Sequence, residues 1–232
     1  GGAVFKAPPE NLTPTLTTPQ AAKSAEWYAS LLMKYGPDGI LSYLDDQAMR
    51  SQMSGRANMR TQAITWMVPL AKHAESTVQK TVRYSLMPAG PSGNFPGSNS
   101  HGLGIPAGSK KKEAAWEFIK WALSKETLAM VVKDHGYPSV CRLSIINSPE
   151  FRNVLTLNGQ DVASLYLEVL KLGGKGGYMK YRTVPIYPQV GDKINKAMER
   201  IATKQQAAPE ALKQAQAEAI QDLQKAGIKV DL

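Results

Sequence analysis

Apolar residues recur at two different spacings along this chain, and the switches between them mark its elements. Ala22, Ala25, Ala29, Leu32 and Met33 repeat every three to four residues, which predicts a helix with one buried face. Thr18 is its expected N-cap, and Pro19 suits the first turn, where no amide hydrogen is needed. Gly36-Pro37 ends it, and Leu44 to Met53 reads as a second helix closed by Gly55. The period then shortens. Ala57, Met59, Thr61 and Ala63 alternate with Asn58, Arg60 and Gln62, which predicts a half-buried strand from Ala57 to Trp66. Val82, Tyr84 and Leu86 repeat the alternation, and the Pro-, Gly-, Ser- and Asn-rich stretch from Pro88 to Ser100 is a loop.

The next pattern is an apolar step, Gly102-Leu103-Gly104-Ile105-Pro106, which predicts a short buried strand running into a turn. Ser109 is positioned to cap a helix ending near Leu123, with Ala115, Phe118, Ile119 and Ala122 as its buried stripe and Trp116 and Trp121 as packing residues. Ser124 caps another helix, packed through Leu128, Val131 and Val132 and stopped by Gly136 and Pro138. Pro149 to Leu155 and Val162 to Leu172 continue the helical reading. Tyr181 to Pro188 reads as extended, with Pro185 and Pro188 barring it from a central strand. The last helix faces are Val190, Ile194, Ala197, Met198 and Ile201, then Leu212, Ala215, Ala219, Leu223 and Ala226, with Pro209 at the start and Gly227 after the end.

Composition narrows the function classes. With 43% hydrophobic and 20% charged residues the chain is globular, and its 232 residues suffice for one or two domains. No apolar run is long enough to span a bilayer. Gly1 to Pro9 has neither the basic start nor the apolar centre of a signal peptide. Cys141 is the single cysteine, so no intrachain disulfide forms. The net charge of +9 raises a polyanion-binding alternative, but Lys110-Lys111-Lys112 is the only run of three. No zinc spacing or aromatic-interleaved RNA motif accompanies it, so a solvated basic surface without nucleic acid is the expectation. Enzyme chemistry finds no foothold. His73, His101 and His135 are far apart, Cys141 has no histidine pattern beside it, and Gly102, Gly104 and Gly108 fit no dinucleotide loop. No catalytic residue, metal or cofactor is expected.

The apolar step followed by Gly108-Ser109-Lys110-Lys111-Lys112-Glu113-Ala114-Ala115-Trp116-Glu117-Phe118-Ile119 resembles the extracellular solute-binding proteins of bacterial ABC importers, in their sugar-binding, maltose-binding-protein-like branch. Met53-Ser54-Gly55-Arg56-Ala57-Asn58-Met59 before Trp66, then Met87-Pro88-Ala89-Gly90-Pro91, and Pro209-Glu210-Ala211-Leu212-Lys213 are similar to further landmarks of that family, in the same order. The resemblance implies an α/β, type II periplasmic-binding-protein-like fold of two lobes, of which this chain is the helix-rich C-terminal portion. Residues 1–100 would then belong to the C-terminal lobe, 101–138 would cross into the N-terminal lobe, and 139–232 would return as a helical segment.

What it implies about function is a substrate-binding component that holds a sugar or polyol in an interlobe cleft and delivers it to ABC permease subunits. The location would be periplasmic or extracellular, and the partners include the N-terminal lobe of a longer chain. A saccharide site needs an aromatic face for the C–H side of the sugar and polar groups for its hydroxyls. Trp66 stands where the family has a ligand-facing tryptophan, with core packing as the alternative. Ser98, Asn99, Ser100 and His101 form the loop that crosses between lobes, and His101-Gly102 replaces the Gly-Gly pair often found there. An imidazole at that position can donate or accept a hydrogen bond. Tyr181 and Arg182 resemble cleft-edge contacts, Arg182 offering either a planar donor fork to the ligand or a surface ion pair. The competing functions are a basic polyanion-binding domain and a structural fragment without retained ligand binding.

Overall fold

A computed structural model describes residues 2–97, 101–176 and 184–231. The elements run β1 (Phe5–Ala7), β2 (Asn11–Pro14), α1 (Pro19–Tyr35), α2 (Asp45–Met53), α3 (Met67–Lys72), α4 (Lys112–Ala122) and α5 (Lys125–His135). After these come α6 (Leu143–Ile146), α7 (Pro149–Val154), β3 (Thr156–Leu157), β4 (Gln160–Asp161), α8 (Val162–Gly176), α9 (Tyr187–Ala202) and α10 (Ala208–Lys225). Contacts divide the chain into two compact units, residues 1–44, 89–93 and 177–232 forming one and residues 45–88 and 94–176 the other.

The first unit is built from α1, α9 and α10 with the β1–β2 hairpin, antiparallel and bulged between Phe5 and Ala7. Helix α10 buries Ala208, Ala211, Leu212, Ala215, Ala219 and Leu223, a continuous stripe at helical spacing. Alanines let α9 and α10 approach closely, and Ala25 and Ala29 of α1 meet Ala197, Ala211 and Ala215 in one cluster. Phe5, Leu12, Val190 and Leu223 form a second cluster under the hairpin. Thr18 caps α1 by accepting from the Ala21 amide at 3.3 Å, as its position predicts. On α1 the apolar stripe is narrower than expected: Ala25 and Ala29 are buried, while Met33 is exposed.

The second unit gathers Met49, Leu70, Val132, Phe151, Leu155, Leu157 and Val162 into one core. Ser124 caps α5 by accepting from the Thr127 amide at 3.1 Å, and Gly136 closes it at φ 62°. A side chain at Gly136 would also crowd Val68, whose Cγ1 lies 3.1 Å from where a Cβ would sit. The β3–β4 hairpin turns through Asn158 and Gly159, both at positive φ, the signature of a tight two-residue hairpin turn.

Several sequence expectations fail here for one physical reason. The described residues form two two-stranded sheets, neither containing residues 57–63, 82–86 or 103–105. A strand needs a partner strand for its amides and carbonyls, and among the described residues these segments have no neighbouring strand. Residues 57–63 therefore lie outside any helix or strand, and a 3-10 turn, Ile64–Trp66, takes the place of the strand end. From Met59 to Ala63 their alternation is also inverted. Met59 is 90% exposed, whereas the Arg60 side chain is only 13% exposed, drawn toward α2 by an ion pair with Asp45 at 2.8 Å. Ser109 does not cap α4: the turn from Pro106 leaves its hydroxyl accepting from the Lys111 amide, and the helix starts at Lys112. The expected stripe of α4 is not buried either, since Phe118 is 57% exposed and no residue of the helix is buried. Tyr187 and Pro188 are helical rather than extended, because a proline suits the first turn of α9 as well as it suits an edge.

Candidate functional site

Trp66 closes the 3-10 turn, its amide donating to the Ala63 carbonyl at 3.2 Å, and leads directly into α3. It is half-buried, with one part of the indole packed on the core that contains Met49, Leu70 and Phe151. Packing and ligand exposure are thus both available to it.

The start of α3 beside Trp66 is held by polar ties that stand in for a sheet. The Tyr84 hydroxyl donates to the Met67 carbonyl at 2.6 Å. Gln160 in turn grips the Tyr84 backbone at both ends, accepting from its amide at 2.9 Å and donating to its carbonyl at 3.1 Å. Asn158, at the hairpin turn, donates to the carbonyls of Gln79 and Val82 at 2.7 and 3.0 Å. These bonds fasten residues 79–84 to the β3–β4 hairpin through side chains. Burial pushes the Tyr84 hydroxyl up to about 12, so it remains a proton donor throughout the physiological range.

His101 is exposed and lies outside any helix or strand. Among the described residues no hydrogen bond links it to Trp66. Ser98, Asn99, Ser100, Tyr181 and Arg182 lie outside the described residues.

Two features went unread in the sequence. The first is a set of buried side-chain atoms without hydrogen-bond partners on α2 and the segment before Trp66: Ser51 Oγ, Gln52 Oε1, Arg60 Nη1 and Gln62 Oε1. Arg60 and Gln62 occupy the polar side of the predicted strand, and the phase of that strand was the missing signal. The second is a groove of about 330 Å³ at the N-terminal end of α9, lined by Tyr187, Pro188, Gly191, Asp192, Ile194 and Asn195. Gly191 keeps it open on one side, since a Cβ there would lie 3.6 Å from the Tyr187 ring. Asp192 is paired to Lys196 at 2.8 Å, and that hydrogen bond holds its carboxyl below the usual range. An aromatic ring, a carboxylate and an amide around a concave surface are the groups that read hydroxyls. Reading Tyr187-Pro188 as an extended edge hid the groove. Among the described residues no group of three His, Cys, Asp or Glu side chains could hold a metal ion.

Comparison with known proteins places this architecture. Among curated proteins, none matches the chain. A solute-binding protein of an ABC transporter from Agrobacterium vitis, solved with bound D-mannitol, superposes on 98% of this chain with a TM-score of 0.77 and 23% identity, and 56% of that protein is covered. One from Agrobacterium radiobacter in complex with ribitol matches 95% of this chain at a TM-score of 0.80 and 25% identity, with 53% of that protein covered. The maltose-bound MalE3 of T. maritima matches 95% at 0.77 and 20% identity, with 54% covered. The chain thus spans about half the length of these proteins, and its fold is theirs: type II periplasmic-binding-protein-like, helix-rich with small sheets. The model of the bacterial extracellular solute-binding protein family matches residues 3–154, and the chain belongs to that family of transporter binding proteins.

Proposed function

We propose that this chain is part of a periplasmic or extracellular binding protein that holds a sugar or polyol in an interlobe cleft and hands it to an ABC permease. The observation that carries the reading is the superposition over 95–98% of the chain on proteins whose structures hold mannitol, ribitol or maltose. The family is one of solute-binding proteins, not enzymes.

The chemistry follows from the residues. The exposed part of the Trp66 indole offers an apolar face to the C–H side of a sugar or polyol. Each ligand hydroxyl removed from water must regain a donor and an acceptor, and unmet bonds are what reject the wrong stereoisomer. His101, Ser98, Asn99, Ser100, Tyr181 and Arg182 are the proposed partners for those hydroxyls. Closure of two lobes on the ligand would be driven by contacts made only in the closed state. In the same reading, residues 101–138 belong to the N-terminal lobe and the remainder to the C-terminal lobe.

Calorimetric titration with mannitol, ribitol and maltose tests the proposal on this chain and on the longer polypeptide containing it. A cleft divides its hydrogen bonds between lobes, and losing several at ~1 kcal/mol each weakens binding by orders of magnitude. The longer polypeptide is expected to bind one of the three, and this chain weakly or not at all. Trp66→Ala is expected to weaken binding by roughly tenfold or more through the lost stacking face. No binding by the longer polypeptide to any of them, with binding to heparin that collapses as salt rises, would replace the proposal with polyanion binding.

A further inference from the structure

We infer that Asn158-Gly159, the turn of the β3–β4 hairpin, is a site of uncatalysed deamidation, and that the acid it yields unfastens residues 79–84 from the hairpin. Asn158 is the one asparagine of the chain that is followed by glycine. Glycine has no Cβ to shield its amide nitrogen, and the space at Gly159 is open: a Cβ added there would meet no atom within 4 Å. Gly159 is exposed and Asn158 is half-buried. The two stand at φ 76° and 52°, the left-handed conformation that Asn-Gly favours in two-residue hairpin turns. The dipeptide that suits the turn is also the one whose backbone nitrogen has the freest approach to the side-chain amide.

The reaction needs only base and water. Base removes the Gly159 amide proton, and the nitrogen attacks Asn158 Cγ. The new N–C bond closes a cyclic imide, the Cγ–Nδ2 bond breaks, and Nδ2 leaves as ammonia. Water then opens the ring at either carbonyl, leaving aspartate or an isoaspartate whose main chain runs through the former side-chain carbonyl. The net change is ammonia out and water in. In the closed turn Nδ2 is engaged, so the reaction proceeds from the opened hairpin. Strands β3 and β4 have two residues each, and few ladder bonds oppose that opening.

The product cannot do what the amide does. Asn158 Nδ2 donates to the carbonyls of Gln79 and Val82 at 2.7 and 3.0 Å, and a carbonyl can only accept. A carboxylate in its place offers no proton and sets a negative charge against two carbonyl oxygens. The Val82 carbonyl keeps a donor in the Arg83 guanidinium at 2.9 Å, so the Gln79 end loses most. An isoaspartate also lengthens the main chain of the turn and disturbs the pairing of Leu157 with Gln160. Gln160 holds both backbone groups of Tyr84, whose hydroxyl holds the Met67 carbonyl next to Trp66. One covalent change at the turn therefore loosens the ties that lead to Trp66.

The test ages the whole chain in warm, mildly alkaline buffer and follows each asparagine by peptide mass mapping. Acid at position 158 is expected to accumulate well ahead of acid at Asn11, Asn58, Asn147, Asn153 and Asn195. The aged form, separated by its added negative charge, is then compared with fresh protein by hydrogen exchange. Amides of residues 79–84 should exchange roughly tenfold faster or more, the loss of two hydrogen bonds, while α10 exchanges as before. Asn158→Asp, made directly, should show the same local acceleration. Acid forming no faster at 158 than at the other asparagines overturns the inference. So does aged protein with unchanged exchange in residues 79–84, which would mean that Arg83 holds the new carboxylate as firmly as the carbonyls held the amide.

Discussion

Helices α10 and α4 begin from the same kind of sequence and end in opposite environments. Both carry apolar residues at helical spacing, and both form over nearly the predicted residues. Helix α10 lies along α9 and completely buries Ala211, Ala215, Ala219 and Leu223. Helix α4 touches α5 at its end and leaves Trp116 and Trp121 in solvent. The difference is not amphipathicity. It is whether a complementary surface exists within the chain, and small residues on two adjacent helices supply one for α10. Aromatic residues demand more area than a single short neighbour can cover.

The largest expected effect tests the closed side of this contrast. Leu223→Ala should destabilise the first unit by about 2–5 kcal/mol, because a fully buried leucine leaves a cavity as well as losing its transfer energy. Urea denaturation followed by circular dichroism measures it, and a change below about 1 kcal/mol would show that α10 is not the buried centre described.

A middle-sized effect concerns the second unit, where side-chain ties replace strand pairing. Tyr84→Phe removes the bond to the Met67 carbonyl and should cost about 1 kcal/mol. It should also change the alkaline limb. The hydroxyl is raised to about 12 in the fold from an ordinary 10, so its contribution is fully present below pH 10 and is lost as pH rises through 12. Unfolding midpoints at about pH 8 and pH 11 should diverge more for the native sequence than for the variant, and equal divergence would mean Tyr84 is not the group responsible.

The smallest effect tests the open side. Trp121→Gln in this chain alone should shift stability by no more than about 0.5 kcal/mol, since the side chain is already largely in water. A loss comparable to that of Leu223→Ala would mean that α4 is covered in solution, and the contrast with α10 would vanish.

Local signals proved legible wherever the chain supplied both partners of an interaction. Thr18, Ser124 and Gly136 act as the caps and stop that their positions predict, because a cap bonds to amides and carbonyls within a few residues. The family landmarks were legible for a different reason, being carried by residue order rather than by packing. Of the candidate site residues, Trp66 is half-buried before α3 and His101 is exposed, and the α9 groove was missed because proline is compatible with both an extended edge and a helix start.

The sequence by itself determined several helix ends, those set by Thr18, Ser124 and Gly136, and the family to which the chain belongs. Only the tertiary structure decided which face of each element is buried. Residues 57–63 alternate as a strand would, yet the Asp45–Arg60 ion pair turns the polar side inward and leaves Met59 in water. Periodicity specifies that an element has two faces, and the neighbour that covers one of them lies far away in the chain. That is why α10 could be read to its buried alanines and α4 only to its ends.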